Sequence, residues 1–296
     1  MHSAAEVSGF SCIACHGTAA HPVHEDCPDF YLRKPFRASY YRCAACGLTQ
    51  QSPMPRDTSA FYDAYPVHSE KSAFYKWVRR ITLGDVYLPP SELRPGMRVL
   101  DYGCGDGWFI ENLAARGVRV EGFEPDREHA LRLGERLGLP VEHDLDLLLR
   151  EKGGKFDVVT MHFVLEHLPD INAAFATARK LLKEGGLFFF TVPNIDSRES
   201  RLFGRKWHHL DPPRHLAFPN RSVVSKAAGA NGFTVSRSRY LPFPNGFAGS
   251  LPVWLFGRFI PAVFMMALPI GILYSRLFPD GIEGFWLTAA PRHAGE

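Results

Sequence analysis

The stretch Val99-Leu100-Asp101-Tyr102-Gly103-Cys104-Gly105-Asp106-Gly107 decides how this chain is read. Its first residues make a short buried strand, and residues 108–115 make a helix that ends at Gly117. The glycines between them let the backbone turn sharply and let a ligand approach to contact distance. The helix N-terminus beyond the turn favours a carboxylate or phosphate. A dinucleotide fingerprint starting at Gly103 would need glycine at 108, where Trp stands. Starting at Gly105 it would need glycine at 110, where Ile stands, so a nicotinamide cofactor is disfavoured.

Outward from this turn the chain alternates. Strands are predicted over 118–123, 141–143, 156–161 and 187–192, and helices over 126–137, 145–150 and 171–183. Short connections between such elements imply a parallel sheet covered on both faces. Asn220 caps a further helix to about 231, followed by strands at 233–240 and 284–289. Upstream, Phe74, Trp77, Val78 and Ile81 give a helical period over 69–83, and Pro89, Pro90 and Pro95 mark a linker. With 296 residues, 46% hydrophobic and 13% aromatic, the chain can build a large core and is neither disordered nor collagen-like. A net charge of +3 gives no electrostatic case for nucleic acid.

Glu124 sits at the tip of the second strand, where a carboxylate can accept both hydroxyls of a ribose. Capping of the next helix is the plainer use of it. VLDYGCGDG, VEGFEPD, FDVVTMHFVLEHL, LLKEGG and FFFTVPN, in this order, resemble the successive motifs of class I S-adenosylmethionine-dependent methyltransferases. The resemblance covers about 95–240 plus the closing strand. It implies an α/β fold: a Rossmann-like seven-stranded methyltransferase sheet with the last strand antiparallel and the cofactor across the carboxyl ends of strands one and two. It further implies that Asp101, Gly103 and Gly105 line the methionine end of S-adenosylmethionine and that Glu124 holds its ribose. Asp144 is implied for the adenine amine, with Phe123, Pro125 and Leu145 flanking the ring, while His162 and Phe163 face cofactor and substrate.

Methyl transfer needs an aligned acceptor, exclusion of water and a proton acceptor near neutrality, which makes His the first suspect. Two stretches compete: Glu166-His167, which a structural pair would also explain, and the insertion containing His208, His209, Asp211, Arg214 and His215. His167, His208, His209 and His215 are the base candidates, and Arg214 is read as an anion contact. The default is O-methylation of a small or lipid-linked acceptor, saccharide or quinone-like, with C-methylation the variant. A nucleic-acid or protein methyltransferase, and a cofactor-binding protein without turnover, are the competing readings.

Cys12-Ile-Ala-Cys15 and Cys43-Ala-Ala-Cys46 are two knuckles separated by 27 residues, spacing that lets four thiolates close a structural Zn2+ site. His16, His21, His24 and Cys27 are substitute ligands, and paired disulfides are the alternative. The N-terminus lacks a basic stretch followed by an apolar core, so no signal peptide is read and a cytoplasmic setting is expected. Residues 241–280 are apolar yet broken by Pro252, Pro261 and Pro269, which disfavours a spanning helix. Two short helices on a membrane surface, a cover for the substrate pocket, or a homodimer contact all suit them. The expected organisation is a zinc-binding module over 1–66, a helical linker over 67–94, and a methyltransferase domain over 95–296 with insertions at 194–219 and 241–280.

Overall fold

The first fifty residues show no helical period, and their described part folds as strands rather than helices. The computed structural model describes residues 5–6, 9–62, 73–83 and 92–291. Strands β1 (Ala5–Glu6), β2 (Ala19–Pro28), β3 (Arg37–Cys43) and β4 (Thr49–Gln51) form an antiparallel sheet. Helices α1 (Ser59–Tyr62) and α2 (Ala73–Leu83) follow, so the second begins inside the predicted 69–83. Positions 69–72 lie outside the described residues.

The second sheet begins with β5 (Arg98–Tyr102), then α3 (Trp108–Ala114), β6 (Arg119–Phe123), α4 (Arg127–Leu137) and β7 (Val141–Glu142). It continues with α5 (Leu145–Lys152), β8 (Phe156–His162), α6 (Ile171–Leu181) and β9 (Leu182–Pro193). Side-chain oxygens start these helices: Asp126, Asp144 and Asp170 each accept from a backbone N–H three residues on. The helix expected over 171–183, with Gly185-Gly186 as the natural stop, ends at Leu181, and those glycines fall inside a strand. β9 starts at Leu182 and the glycines lie in an irregularity against β8, where Gly185 takes φ +69°.

The chain closes through α7 (Arg198–Phe203), β10 (Ala217–Phe218), α8 (Arg221–Ala230), β11 (Phe233–Leu241), α9 (Pro244–Phe256), α10 (Pro261–Leu277) and β12 (Ile282–Ala289). The sheet order is β11-β12-β9-β8-β5-β6-β7. Neighbours from β9 to β7 run parallel, while β12 is antiparallel to both β9 and β11, as the seven-stranded expectation requires. Fully buried Phe156, Phe175, Phe188, Phe190 and Phe285 fill the core on one side. β10, from the insertion, pairs with β4, so the N-terminal sheet takes its fifth strand from residues far along the chain.

Candidate active site

The turn after β5 is held in its bent form from three sides. Gly103, Gly105 and Gly107 take φ of +77°, +52° and +75°, a region side chains avoid. A Cβ on Gly103 would lie 2.7 Å from Val164 Cγ2, so packing also demands glycine there. His129 Nε2 donates to Gly105 O at 2.6 Å, Arg136 to Asp106 O at 2.7 Å, and Arg79 pairs with Asp106 at 2.8 Å. Arg79 also lies 4.6 Å above the Trp108 ring. Sequence reading missed these clamps. His129 carries the one available signal, a polar residue on the buried face of α4.

Glu124, at the end of β6, is buried and folds back onto this turn, its Oε2 accepting from Gly105 N–H at 3.1 Å. Asp101 is buried at the end of β5 and accepts from Thr160 Oγ1 at 2.7 Å. Burial pushes its carboxyl up to about 8, so a cationic ligand would favour its ionisation. A cramped glycine bend, a carboxylate turned onto it and a buried acid seeking a cation suit a ligand with a ribose and a sulfonium. The expected S-adenosylmethionine therefore fits the residues present. Asp144 is exposed after β7, with Oδ1 occupied in capping α5. His162 packs edge-on against Phe109 and Phe189, and burial lowers it to about 3, which keeps it neutral.

The turn after β8 touches both this bend and the predicted base candidates. Val164 packs on Gly103, while Phe163 stacks on His209 with ring centroids 5.8 Å apart. His167 meets His215 edge-on at 4.6 Å. Glu166, His167 and His215 each bring a donor-type atom within 4.8 Å of the others. His167 Nδ1 lies 2.9 Å from Tyr62 OH and 3.1 Å from Arg214 O, and His215 Nδ1 lies 2.6 Å from His209 O. A carbonyl only accepts, so both rings carry their proton on Nδ1 and offer Nε2 as the basic atom. Burial lowers His167, His208 and His209, and takes His215 to about 3, so all four are neutral near pH 7. His209 Nε2 is buried with no hydrogen-bond partner among the described residues. His208 sits further out, its ring stacked on Phe259 and its N–H donating to Ser250 Oγ.

Both carboxylate oxygens of Glu166 are buried without a hydrogen bond among the described residues, and burial raises its carboxyl to about 8. The unfolded chain releases this proton near 4.5, whereas the folded chain keeps it to about 8. Stability from the protonated form is therefore complete below 4.5 and is lost as pH rises to 8. Glu166→Gln should remove that slope. Urea unfolding from pH 5 to 8 should show the wild type losing up to about 1.4 kcal/mol per pH unit relative to the variant, and parallel curves would reject the assignment.

Arg214 is not an anion contact for a substrate, as the sequence suggested. Its guanidinium is fully buried and gives two hydrogen bonds to Asp29 at 2.9 Å and two to Asp211 at 2.9 and 2.7 Å. Tyr40 OH donates to Leu210 O and His215 O from the same side. The N-terminal sheet thus fixes the loop that carries the histidines.

The two knuckles repeat one backbone pattern. His16 N–H donates to Cys12 O and Gly47 N–H to Cys43 O, both at 2.9 Å, with His16 and Gly47 at positive φ. Cys12 Sγ lies 3.5 Å from Cys46 Sγ, and Cys15 Sγ lies 3.5 Å from Cys43 Sγ. All four sulfurs fall within 4.8 Å of one another. A disulfide needs about 2.05 Å, so the pairs are not bridged. Cys27 is buried elsewhere, its thiol donating to Glu25 O.

A parallel doubly wound sheet with a glycine bend and a carboxylate at adjacent strand ends defines a nucleotide-cofactor-binding α/β protein. Residues 73–238 match the methyltransferase-domain family, and the chain belongs to it: it is an S-adenosylmethionine-dependent methyltransferase. Among similar proteins is the ubiquinone biosynthesis O-methyltransferase of Bordetella avium, 29% identical over 188 residues, 56% of this chain and 74% of that protein. The protein of the same name from Bordetella pertussis is 37% identical over 161 residues, 46% of this chain and 65% of its own length. The one from Vibrio parahaemolyticus is 35% identical over 106 residues, 33% of this chain and 45% of its length. The chain therefore spans less than two thirds of the latter two relatives. The crystal structure of an S-adenosylmethionine-dependent methyltransferase from Archaeoglobus fulgidus shares the fold, with a TM-score of 0.50 at 17% identity, covering 72% of this chain and 94% of that one.

Proposed function

We propose that this protein O-methylates a small quinone-like or lipid-linked acceptor, with the histidine cluster as proton acceptor. The observation that carries this is the run of contacts from Gly103 through Phe163–Val164 to His209 and the Glu166–His167–His215 group. It sets neutral imidazoles beside the donor bend at the carboxyl end of the sheet. When bound, S-adenosylmethionine supplies a methyl made electrophilic by its sulfonium. Glu124 would bind the ribose, Asp101 the cationic end, and Asp144 the adenine amine through the oxygen not used in capping. His162 would form an apolar, uncharged wall. Nε2 of His209, His215 or His167 would take the acceptor hydroxyl's proton. The names of the relatives favour a quinone-type acceptor over a sugar.

The test is incubation of the purified chain with S-adenosylmethionine and a panel: an alkylated ortho-diphenol, a sugar nucleotide and an RNA. A methyl ether on the diphenol, lost in His209→Ala or His215→Ala with donor affinity kept, is the expected product. Transfer only to the sugar or RNA would replace this reading.

Cys12, Cys15, Cys43 and Cys46 would hold one structural Zn2+, making the N-terminal sheet a zinc ribbon. Tetrahedral Zn–S bonds near 2.3 Å put sulfurs about 3.8 Å apart, close to the spacing seen. Burial raises Cys46 to about 11, and a bound cation is what would keep such thiols ionised. Metal analysis should find close to one zinc per chain in the wild type and little in Cys43→Ser. Full zinc retention by that variant would exclude Cys43 as a ligand.

A further inference from the structure

A helix apolar on every side must be covered on every side. α10 is such a helix, yet the fold covers half of it. Phe264, Ala267, Leu268 and Gly271 face α9, and a Cβ on Gly271 would lie 2.6 Å from Pro244 O. On the other side Met266, Ile270, Leu273 and Leu277 follow one another at helical spacing, and Met266, Leu273 and Leu277 are 79%, 61% and 64% exposed. Trp254 and Phe256, at the end of α9, extend the same apolar character with half or more of their surface exposed.

Charge within the hairpin itself has one sign. From residue 241 to 279 the sequence contains no Asp or Glu, and its charged side chains are Arg258 and Arg276, both exposed. Arg258 shares a cleft with Arg33, Phe256 and Ile260 at the turn between the helices. Lys206 donates to Trp254 O, which brings the Arg205-Lys206 turn beside the end of α9. Among the described residues no helix is long and apolar enough to cross a membrane.

We propose that the outer face of the α9–α10 hairpin seats this protein on the surface of a bilayer containing anionic lipid. The apolar stripe enters the acyl boundary and the arginines meet the headgroups. A second copy of the chain is the poorer occupant. Face-to-face hairpins would bring Arg258 and Arg276 of both copies together, with no acid in the segment to pair them. The inner face of the same hairpin touches the insertion, since His208 stacks on Phe259 and packs on Gly249. The bilayer would thus lie on the far side of the hairpin from the proposed acceptor site. The inference stands on the hairpin and does not depend on which acceptor is methylated.

Co-sedimentation of the full chain with vesicles tests it, using phosphatidylcholine alone and phosphatidylcholine mixed with phosphatidylglycerol. The wild type should bind the mixed vesicles about ten-fold more tightly, and added salt should weaken that preference. Ile270→Asp/Leu273→Asp should lose binding to both vesicles while keeping its thermal unfolding. Arg258→Gln/Arg276→Gln should lose the preference for phosphatidylglycerol. The proposal is overturned if the wild type binds neither vesicle, or if the aspartate variant binds like the wild type. It is equally overturned if the stripe serves a dimer, with a wild-type dimer in sedimentation velocity that binds no vesicle and that Ile270→Asp/Leu273→Asp splits.

Discussion

Arg214→Ala should cost about 3–5 kcal/mol of stability at pH 7, because it leaves Asp29 and Asp211 buried with no guanidinium between them. The triad as a whole need not be a large stabiliser against an apolar alternative, but removing the arginine strands both acids. Beside Arg214, the Asp211 carboxyl is held well below the ordinary 3.8. Its contribution is therefore present above 3.8 and is lost only as pH falls through the lower folded value. In the variant the stranded acids can take up protons, so the gap to the wild type should narrow as pH drops toward 4. Urea unfolding at pH 7 and pH 4.5 measures both effects. A loss below about 1 kcal/mol at pH 7 would mean that the module and the insertion are held together by other contacts. Arg214→Lys should recover little, since an ammonium cannot offer two paired forks.

Glu124→Ala should weaken S-adenosylmethionine binding by roughly 100-fold, the loss of about 2–3 kcal/mol expected when a carboxylate no longer accepts from ribose hydroxyls. Titration calorimetry reads this directly. Because Glu124 also accepts from Gly105 N–H, part of the loss would come from a loosened bend. Glu124→Gln separates the two, since its amide oxygen can still accept from Gly105 while the charge is gone, and it should fall between. Unchanged affinity in Glu124→Ala would reject the ribose assignment.

The alternation from 98 to 193 and the apolar, proline-broken stretch between 241 and 280 are legible in the residues, because strand and helix periods are local properties of a chain, while the antiparallel end of the sheet is implied by the family resemblance. The glycine bend and Glu124 are legible for the same reason: a turn of that kind and an acid at the next strand's tip are close in sequence. Errors fall where a local signal meets a distant partner. Gly185-Gly186 looks like a helix stop, but pairing of Leu182 with Phe156 draws the strand back through the glycines.

The site shows the same division. Residue types and spacing make the glycine bend, the four paired cysteines and a histidine-rich loop visible, and the motif resemblance names the cofactor class. Tertiary structure alone decided what Arg214 does, since Asp29 lies 185 residues away and no periodicity reports so distant an ion pair. It also decided which imidazole nitrogen is basic, through carbonyls supplied by other turns, and that half of α10 is left bare. Amphipathic pattern tells a helix where its polar side is. A helix without one learns which side is covered only from the fold around it.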